Sequence, residues 1–251
     1  MAKNKKKYDL IFSVGNTCAC SVLLRRNKLQ YASYPLDWVG LDPFSDKIQW
    51  LLTHFEHFLN KESLVITERP SNEETDMNCE YCKDIKTGCY FVHDFPIGIP
   101  LEQSFADIES KYQRRIERLY QRLAKSKKTL IIWYSLDGRL DADELKESQQ
   151  KLNKYFNPTQ FDILVIENSK DVKGFQEENI SEGITRITYD MFNIEPKSTM
   201  SSIIGNVVLA DSIFRRYELQ TPWWFKPMLK LIRCIPSKKF KKNLKRKIYN
   251  Y

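Results

Sequence analysis

The run Thr129 to Tyr134, Thr-Leu-Ile-Ile-Trp-Tyr, constrains the fold more than any other segment of this chain. A strand with water on one face alternates apolar and polar residues. This one is apolar at nearly every position, as strands are when both faces of their sheet are covered. Helical patterns lie on either side of it, over 101–126 and 141–155. The runs Tyr8–Val14, Ser63–Thr67, Cys89–His93, Phe161–Glu167 and Ile184–Tyr189 also read as strands, and further helices are expected near 18–29, 44–60 and 201–218. This alternation predicts an α/β class: a single layered domain over 8–220, with a mixed or parallel sheet flanked by helices. A basic N-terminal tail, 1–7, precedes it and an amphipathic basic helical tail, 221–251, follows. The 251 residues, 42% of them hydrophobic, suffice for a sizeable core.

The formal net charge of +8 has a definite location. Residues 221–251 hold ten Lys and Arg and no Asp or Glu, which leaves 30 basic against 32 acidic residues in the remainder, a balance of −2. The same stretch contains Trp223, Trp224, Phe225, Met228, Leu229, Leu231, Ile232 and Phe240. Aromatic residues at one end, apolar residues at helical spacing and lysines between them describe a helix lying on an anionic membrane surface, interrupted at Pro236. Trp223, Trp224, Phe225, Lys238 and Lys239 are the expected membrane-binding residues. Docking of the tail on its own domain or a protein partner is the next reading, and nucleic acid the least favoured. No apolar stretch approaches the roughly 20 residues needed to span a bilayer. No signal-peptide pattern is present, so the expectation is a cytoplasmic protein, peripheral on the inner face of the membrane. The six cysteines, at 18, 20, 79, 82, 89 and 234, form no regular framework and read as thiols.

Cys18 stands where the first predicted strand runs through Gly15 into a helix. A thiol there lies near the unsatisfied N–H groups of a helix N-terminus, which favour a thiolate and can hold an oxyanion around Asn16 to Ala19. The competing reading is a buried small apolar residue. Among three histidines, His54 and His57 fall in a helical pattern as ordinary face residues, whereas His93 closes a predicted strand and titrates in the range a general base needs. Asp94 follows His93 directly, although adjacent strand residues face opposite ways, and Asp37 competes with it as the acid that would orient the imidazole. Cys79, Cys82, Cys89 and His93 form an alternative, zinc-like set, but their spacing matches no established motif and no metal is expected. On the helix after Leu101, Lys111, Arg114, Arg115, Arg118 and Arg122 outnumber the nearby acids. They form either a solvated face or a guanidinium cluster for phosphate or carboxylate.

Phe12-Ser13-Val14-Gly15-Asn16-Thr17-Cys18, then Leu24-Arg25-Arg26 and Tyr34-Pro35-Leu36-Asp37-Trp38, resembles the opening of a bacterial family of papain-like cysteine peptidases, F-S-L-G-x-x-C, L-R-R, P-F-D-W. Phe91-Val92-His93-Asp94-Phe95 and Lys111-Tyr112-Gln113-Arg114-Arg115-Ile116-Glu117-Arg118 resemble its second block, F-x-H-D-F and K-Y-x-R-R-I-x-R. The departures are Leu36 for phenylalanine and the cysteines ahead of His93. The resemblance, over about residues 8–135, implies a Cys–His site: Cys18 as nucleophile, His93 as proton carrier, Asp94 or Asp37 behind it. Asn16, Arg25, Lys111, Arg114 and Arg115 are then the expected substrate-binding residues, toward an anionic or glycan-linked substrate. Papain-like folds carry the cysteine on a helix and the histidine on a largely antiparallel sheet, which sits awkwardly with the alternation above. The expected function is a cysteine-dependent hydrolase or acyltransferase without a cofactor. The alternatives are a glycosyltransferase-like enzyme of surface-polysaccharide assembly, with Cys18 structural, and a non-catalytic module recruited to membranes.

Overall fold

A computed structural model describes residues 4–40, 42–68, 78–193 and 204–248. Its centre is a five-stranded sheet of β2 (Leu10–Ser13), β7 (Lys128–Ser135), β8 (Gln160–Asn168), β10 (Ile184–Tyr189) and β9 (Phe175–Ser181), in that spatial order. The first four strands run parallel and β9 antiparallel. The period of two in β7 explains its composition. Ile131 and Trp133 join Leu10, Phe12, Ile163 and Val165 in one core, while Leu130, Ile132 and Tyr134 join Ile11, Leu164 and Ile166 in another. Both faces are covered, as the apolar run predicts.

The second core is closed by α1 (Ala19–Arg26) and by a helix at Val207–Phe214, through Leu23, Leu24, Ile213 and Phe214. The first is closed by α2 (Phe44–Leu52), α3 (Leu101–Leu123) and α4 (Ala142–Tyr155), with Asp141 capping α4 by accepting from the amides of Asp143 and Glu144. The helix Val207–Phe214 is α5. Also packed into the first core is a four-stranded antiparallel sheet in the order β3 (Val39–Gly40), β6 (Tyr90–Phe91), β5 (Tyr81–Asp84), β4 (Leu64–Thr67). A short parallel pair, β1 (Lys6–Tyr8) with β11 (Tyr217–Leu219), lies beside these sheets, and the chain continues into α6 (Phe225–Arg233) and α7 (Lys238–Ile248).

The mixed sheet flanked by helices is the expected α/β class. Several boundaries differ. The first predicted strand is two: the chain breaks at Asp9, whose carboxylate accepts from the amides of Lys127 and Lys128, so β1 pairs with β11 and β2 with β7. Lys6 and Lys7, expected in a tail, belong to β1, and residues 1–3 lie outside the described set. The helix expected over 44–60 ends at Leu52, because His54, Phe55 and His57 adopt positive φ angles of 54°, 60° and 58° that no right-handed helix accommodates. His54 stacks flat on Tyr120 at 4.1 Å. β3, β5, β9 and β11 were not expected; the helix expected over 201–218 appears as α5, its last two residues belong instead to β11, and residues 201–203 lie outside the described set.

Candidate functional site

At the end of β2 the chain turns sharply into α1. The amides of Val14 and Asn16 donate to the carbonyls of Ile132 and Tyr134 at 2.9 and 3.0 Å, so the turn stays laced to β7 until just before Cys18. Gly15 permits this closeness: a Cβ there would stand 3.1 Å from both the N and the O of Tyr134. Cys18 is the N-cap of α1, half-buried, and its carbonyl accepts the helix's first hydrogen bond from Val22. Two amides of the expected oxyanion set are engaged, Asn16 with Tyr134 and Ala19 with the Thr17 hydroxyl at 3.3 Å. Cys20, two residues on, is fully buried, and desolvation pushes its thiol up to about 12.

Beneath this turn lies a buried charge pair. Lys47 is wholly enclosed and donates from Nζ to the Gly15 carbonyl at 2.6 Å. Asp42 is also buried, and neither of its carboxylate oxygens has a hydrogen-bond partner among the described residues. Desolvation pushes Asp42 up to about 6, against the attraction of Lys47, and desolvation lowers Lys47. The sequence carries a signal for this pair. Phe44, Lys47, Ile48 and Leu51 occupy the i, i+3, i+4, i+7 stripe of α2, so a lysine holds a core position.

His93 lies in a turn past β6, so the strand expected over Cys89–His93 ends two residues before it, and Cys18 stands at the start of α1. The imidazole meets the Trp38 ring edge-on at 5.3 Å, and the Arg25 guanidinium covers the same indole at 5.0 Å. Desolvation lowers the His93 pKa; Asp94 opposes that shift, while Arg115 and Lys111 reinforce it. β3 links the two halves of the site. A Cβ on Gly40 would stand 3.3 Å from the Asn16 carbonyl, while Trp38, two residues earlier, touches His93.

Neither candidate acid orients His93 through a described hydrogen bond. Asp37, fully buried, accepts from Ser21 Oγ (3.0 Å), Arg25 Nη2 (3.3 Å), Gln30 Nε2 (2.6 Å) and the Tyr34 amide (2.9 Å). Asp94 accepts from Lys111 Nζ and from the Tyr112 hydroxyl at 2.6 Å. Both carboxylates are taken up in holding cations near the imidazole. Arg115 lies over the Tyr112 ring at 5.0 Å, and its Nη1, like Arg25 Nε, is buried with no hydrogen-bond partner among the described residues.

Arg25, Asp37, His93, Asp94, Lys111 and Arg115 therefore share one neighbourhood. Arg114 is exposed and stands apart from these contacts. Arg118 and Arg122 are spent on backbone carbonyls, of Ser33 and Asp9, each at 2.7 Å, so the four-residue spacing of Arg114, Arg118 and Arg122 does not form a phosphate comb. Among the described residues no group of three or more His, Cys, Asp or Glu is placed so as to hold a metal ion. Cys82 and Cys89 are buried, and desolvation pushes Cys82 up to about 12 and Cys89 well above the usual thiol range.

In the tail, Trp223 is 88% exposed, but Phe225, expected at the membrane, is fully buried and packs edge-on against Tyr31 at 5.0 Å. Trp224 is half-buried against Phe225, Lys239 is exposed, and the Lys238 side chain lies outside the described set. No helix among the described residues is long and apolar enough to cross a membrane.

A half-buried cysteine thus stands at a strand-to-helix turn, and a histidine stands in the turn that follows β6. Residues 9–170 match the family described as "Putative papain-like cysteine peptidase (DUF1796)", and the chain belongs to that family. It is also similar to an uncharacterized protein of Acanthamoeba polyphaga mimivirus, 29% identical over 134 residues, which cover 49% of this chain and 60% of the relative. The match thus spans less than two thirds of that viral protein's length. No solved structure matches.

Proposed function

We propose that the protein is a cysteine-dependent hydrolase or acyltransferase. The observation that carries this is the half-buried Cys18 at the N-terminus of α1, in a turn pinned by Lys47 and two β7 carbonyls. The thiol of Cys18 loses its proton to His93 and the thiolate attacks an acyl carbon; His93 returns the proton to the leaving group, and water or a second acceptor then releases the acyl group. First-turn amides of α1 stabilise the oxyanion. A lowered His93 pKa supports this role, because the imidazole is then neutral and able to accept a proton at neutral pH. Cationic Arg25, Lys111 and Arg115, gathered around His93 and Trp38, favour a substrate with a carboxylate or phosphate. The same cations favour a second reading, a transferase acting on a phosphate-bearing donor with Cys18 structural.

Limiting iodoacetamide followed by mass spectrometry tests the first reading. Cys18 is expected to label faster than exposed Cys234, and His93→Ala to slow Cys18 alone. Labelling of Cys18 no faster than Cys234, unchanged in His93→Ala, refutes it. A thermal shift with inorganic phosphate or a nucleotide sugar that is lost in Arg115→Ala and kept in Cys18→Ser supports the transferase.

A further inference from the structure

We propose that the outer face of the α6–α7 hairpin is a docking surface for an anionic lipid bilayer. The hairpin divides its apolar residues into two sets. Phe225, Ile232 and Ile248 are buried in a cluster of their own with Tyr31, Trp224, Leu229, Ile235 and Leu244, and this set fastens the helices to each other and to the domain. The other set faces water: Trp223 at 88% exposure, Leu231 at 64%, Phe240 at 58% and Met228 at 37%. The inner set already accounts for folding, so the outer one has no structural task. Met228 and Leu231 stand three apart, on one side of α6.

Charge selects the occupant. Residues 221–251 carry ten basic and no acidic side chains, and Lys226, Lys230, Lys239 and Lys247 are exposed beside the outer apolar set. A surface that is wholly cationic and also presents an indole and aliphatic chains fits anionic headgroups above acyl chains. Nucleic acid would satisfy the charges but offers Leu231 and Met228 nothing apolar to enter. The helices, of 9 and 11 residues, are about 14 and 17 Å long and lie on the bilayer rather than across it. The platform is already assembled. Lys241 Nζ donates to the Arg233 carbonyl at 3.1 Å, closing the hairpin at the C-terminus of α6, so ordering this segment does not have to be supplied by the lipid.

The test is co-sedimentation of the full chain with vesicles of phosphatidylcholine alone and of phosphatidylcholine with phosphatidylserine. Binding is expected to the second and not the first. Lys226→Gln, Lys230→Gln and Lys239→Gln together should weaken it by roughly fivefold per charge at low salt. Trp223→Ser with Leu231→Ser should weaken it at every salt concentration while leaving the melting temperature unchanged, in contrast to Phe225→Ala, which should lower it. Equal partitioning of the apolar double variant and the parent overturns the proposal, as does duplex DNA binding that is lost with the charges but indifferent to Trp223 and Leu231. A melting temperature lowered as much by the outer pair as by Phe225→Ala also overturns it, because the outer set would then belong to the fold.

Discussion

The ammonium of Lys47 reaches the carbonyl of Gly15 from inside the core, 2.6 Å away and three residues ahead of Cys18. One buried amine thereby fixes the backbone from which the candidate nucleophile projects, and the attraction of Asp42 opposes the desolvation that lowers its pKa. Lys47→Met should cost about 3 kcal/mol, since it strands both a buried carbonyl and a buried carboxylate. That corresponds to a melting temperature lower by roughly 6–12 °C in a chain of this size. Differential scanning calorimetry of the parent and variant measures it, and Cys18 labelling in the folded variant reports whether the turn has loosened.

The same pair sets a pH dependence. The folded Asp42 carboxyl keeps its proton up to about 6, whereas the unfolded one loses it near 3.8. The native state therefore binds more protons between those values, and stability falls as pH rises through that window and levels off above it. Asp37 and Glu167, also raised by burial, tilt the curve the same way. Asp42→Asn should remove its own share of the fall, seen as a shallower slope of urea-unfolding free energy against pH. An identical slope in parent and variant would contradict the assignment.

Gly15→Ala should destabilise by about 1–3 kcal/mol, the usual cost of overpacking. The added methyl meets Tyr134 N and O at 3.1 Å and the Cys20 Cβ at 3.2 Å, and the backbone of a central strand has little freedom to retreat. Urea midpoints measure the loss.

Much of the central sheet was legible because its strands declare themselves locally. Ile184–Tyr189 was read to the residue, and the apolar run of β7 gave the two-sided cover. β9, Phe-Gln-Glu-Glu-Asn-Ile-Ser, lies at the sheet edge with its side chains largely in water, so no apolar alternation marks it. The end of α2 escaped because His54, Phe55 and His57 take left-handed geometry without a glycine to announce it. Within the site, Cys18 and His93 could be picked out by their chemistry and motif. The partners of Asp37 and Asp94 could not, because Ser21, Gln30 and Tyr112 reach them through tertiary packing that no spacing encodes.

Asp37→Ala should be among the most damaging single changes near the site. It leaves Ser21 Oγ and the Tyr34 amide without their acceptor and takes one acceptor from Arg25 Nη2 and from Gln30 Nε2, which keep Ser33 Oγ and the Ala32 carbonyl. A loss of about 1–3 kcal/mol is expected from leaving buried donors unsatisfied. Asp37→Asn, which keeps the shape and part of the bonding, should lose less. Thermal melts of the two variants rank them.

The pairing of β1 with β11 has a mechanical consequence. Lys6 donates to the Arg216 carbonyl at 3.0 Å and Gln220 to the Tyr8 carbonyl at 2.8 Å, so the strand entering the central sheet is stitched to the strand leaving for α6. Because the two run parallel, their exits toward β2 and α6 lie at the same end of the ladder, so tension drawn along the chain from α6 falls first on the Gln220–Tyr8 bond. A pull on the hairpin would thus be borne at β1 before it reached β2 and the turn that carries Cys18.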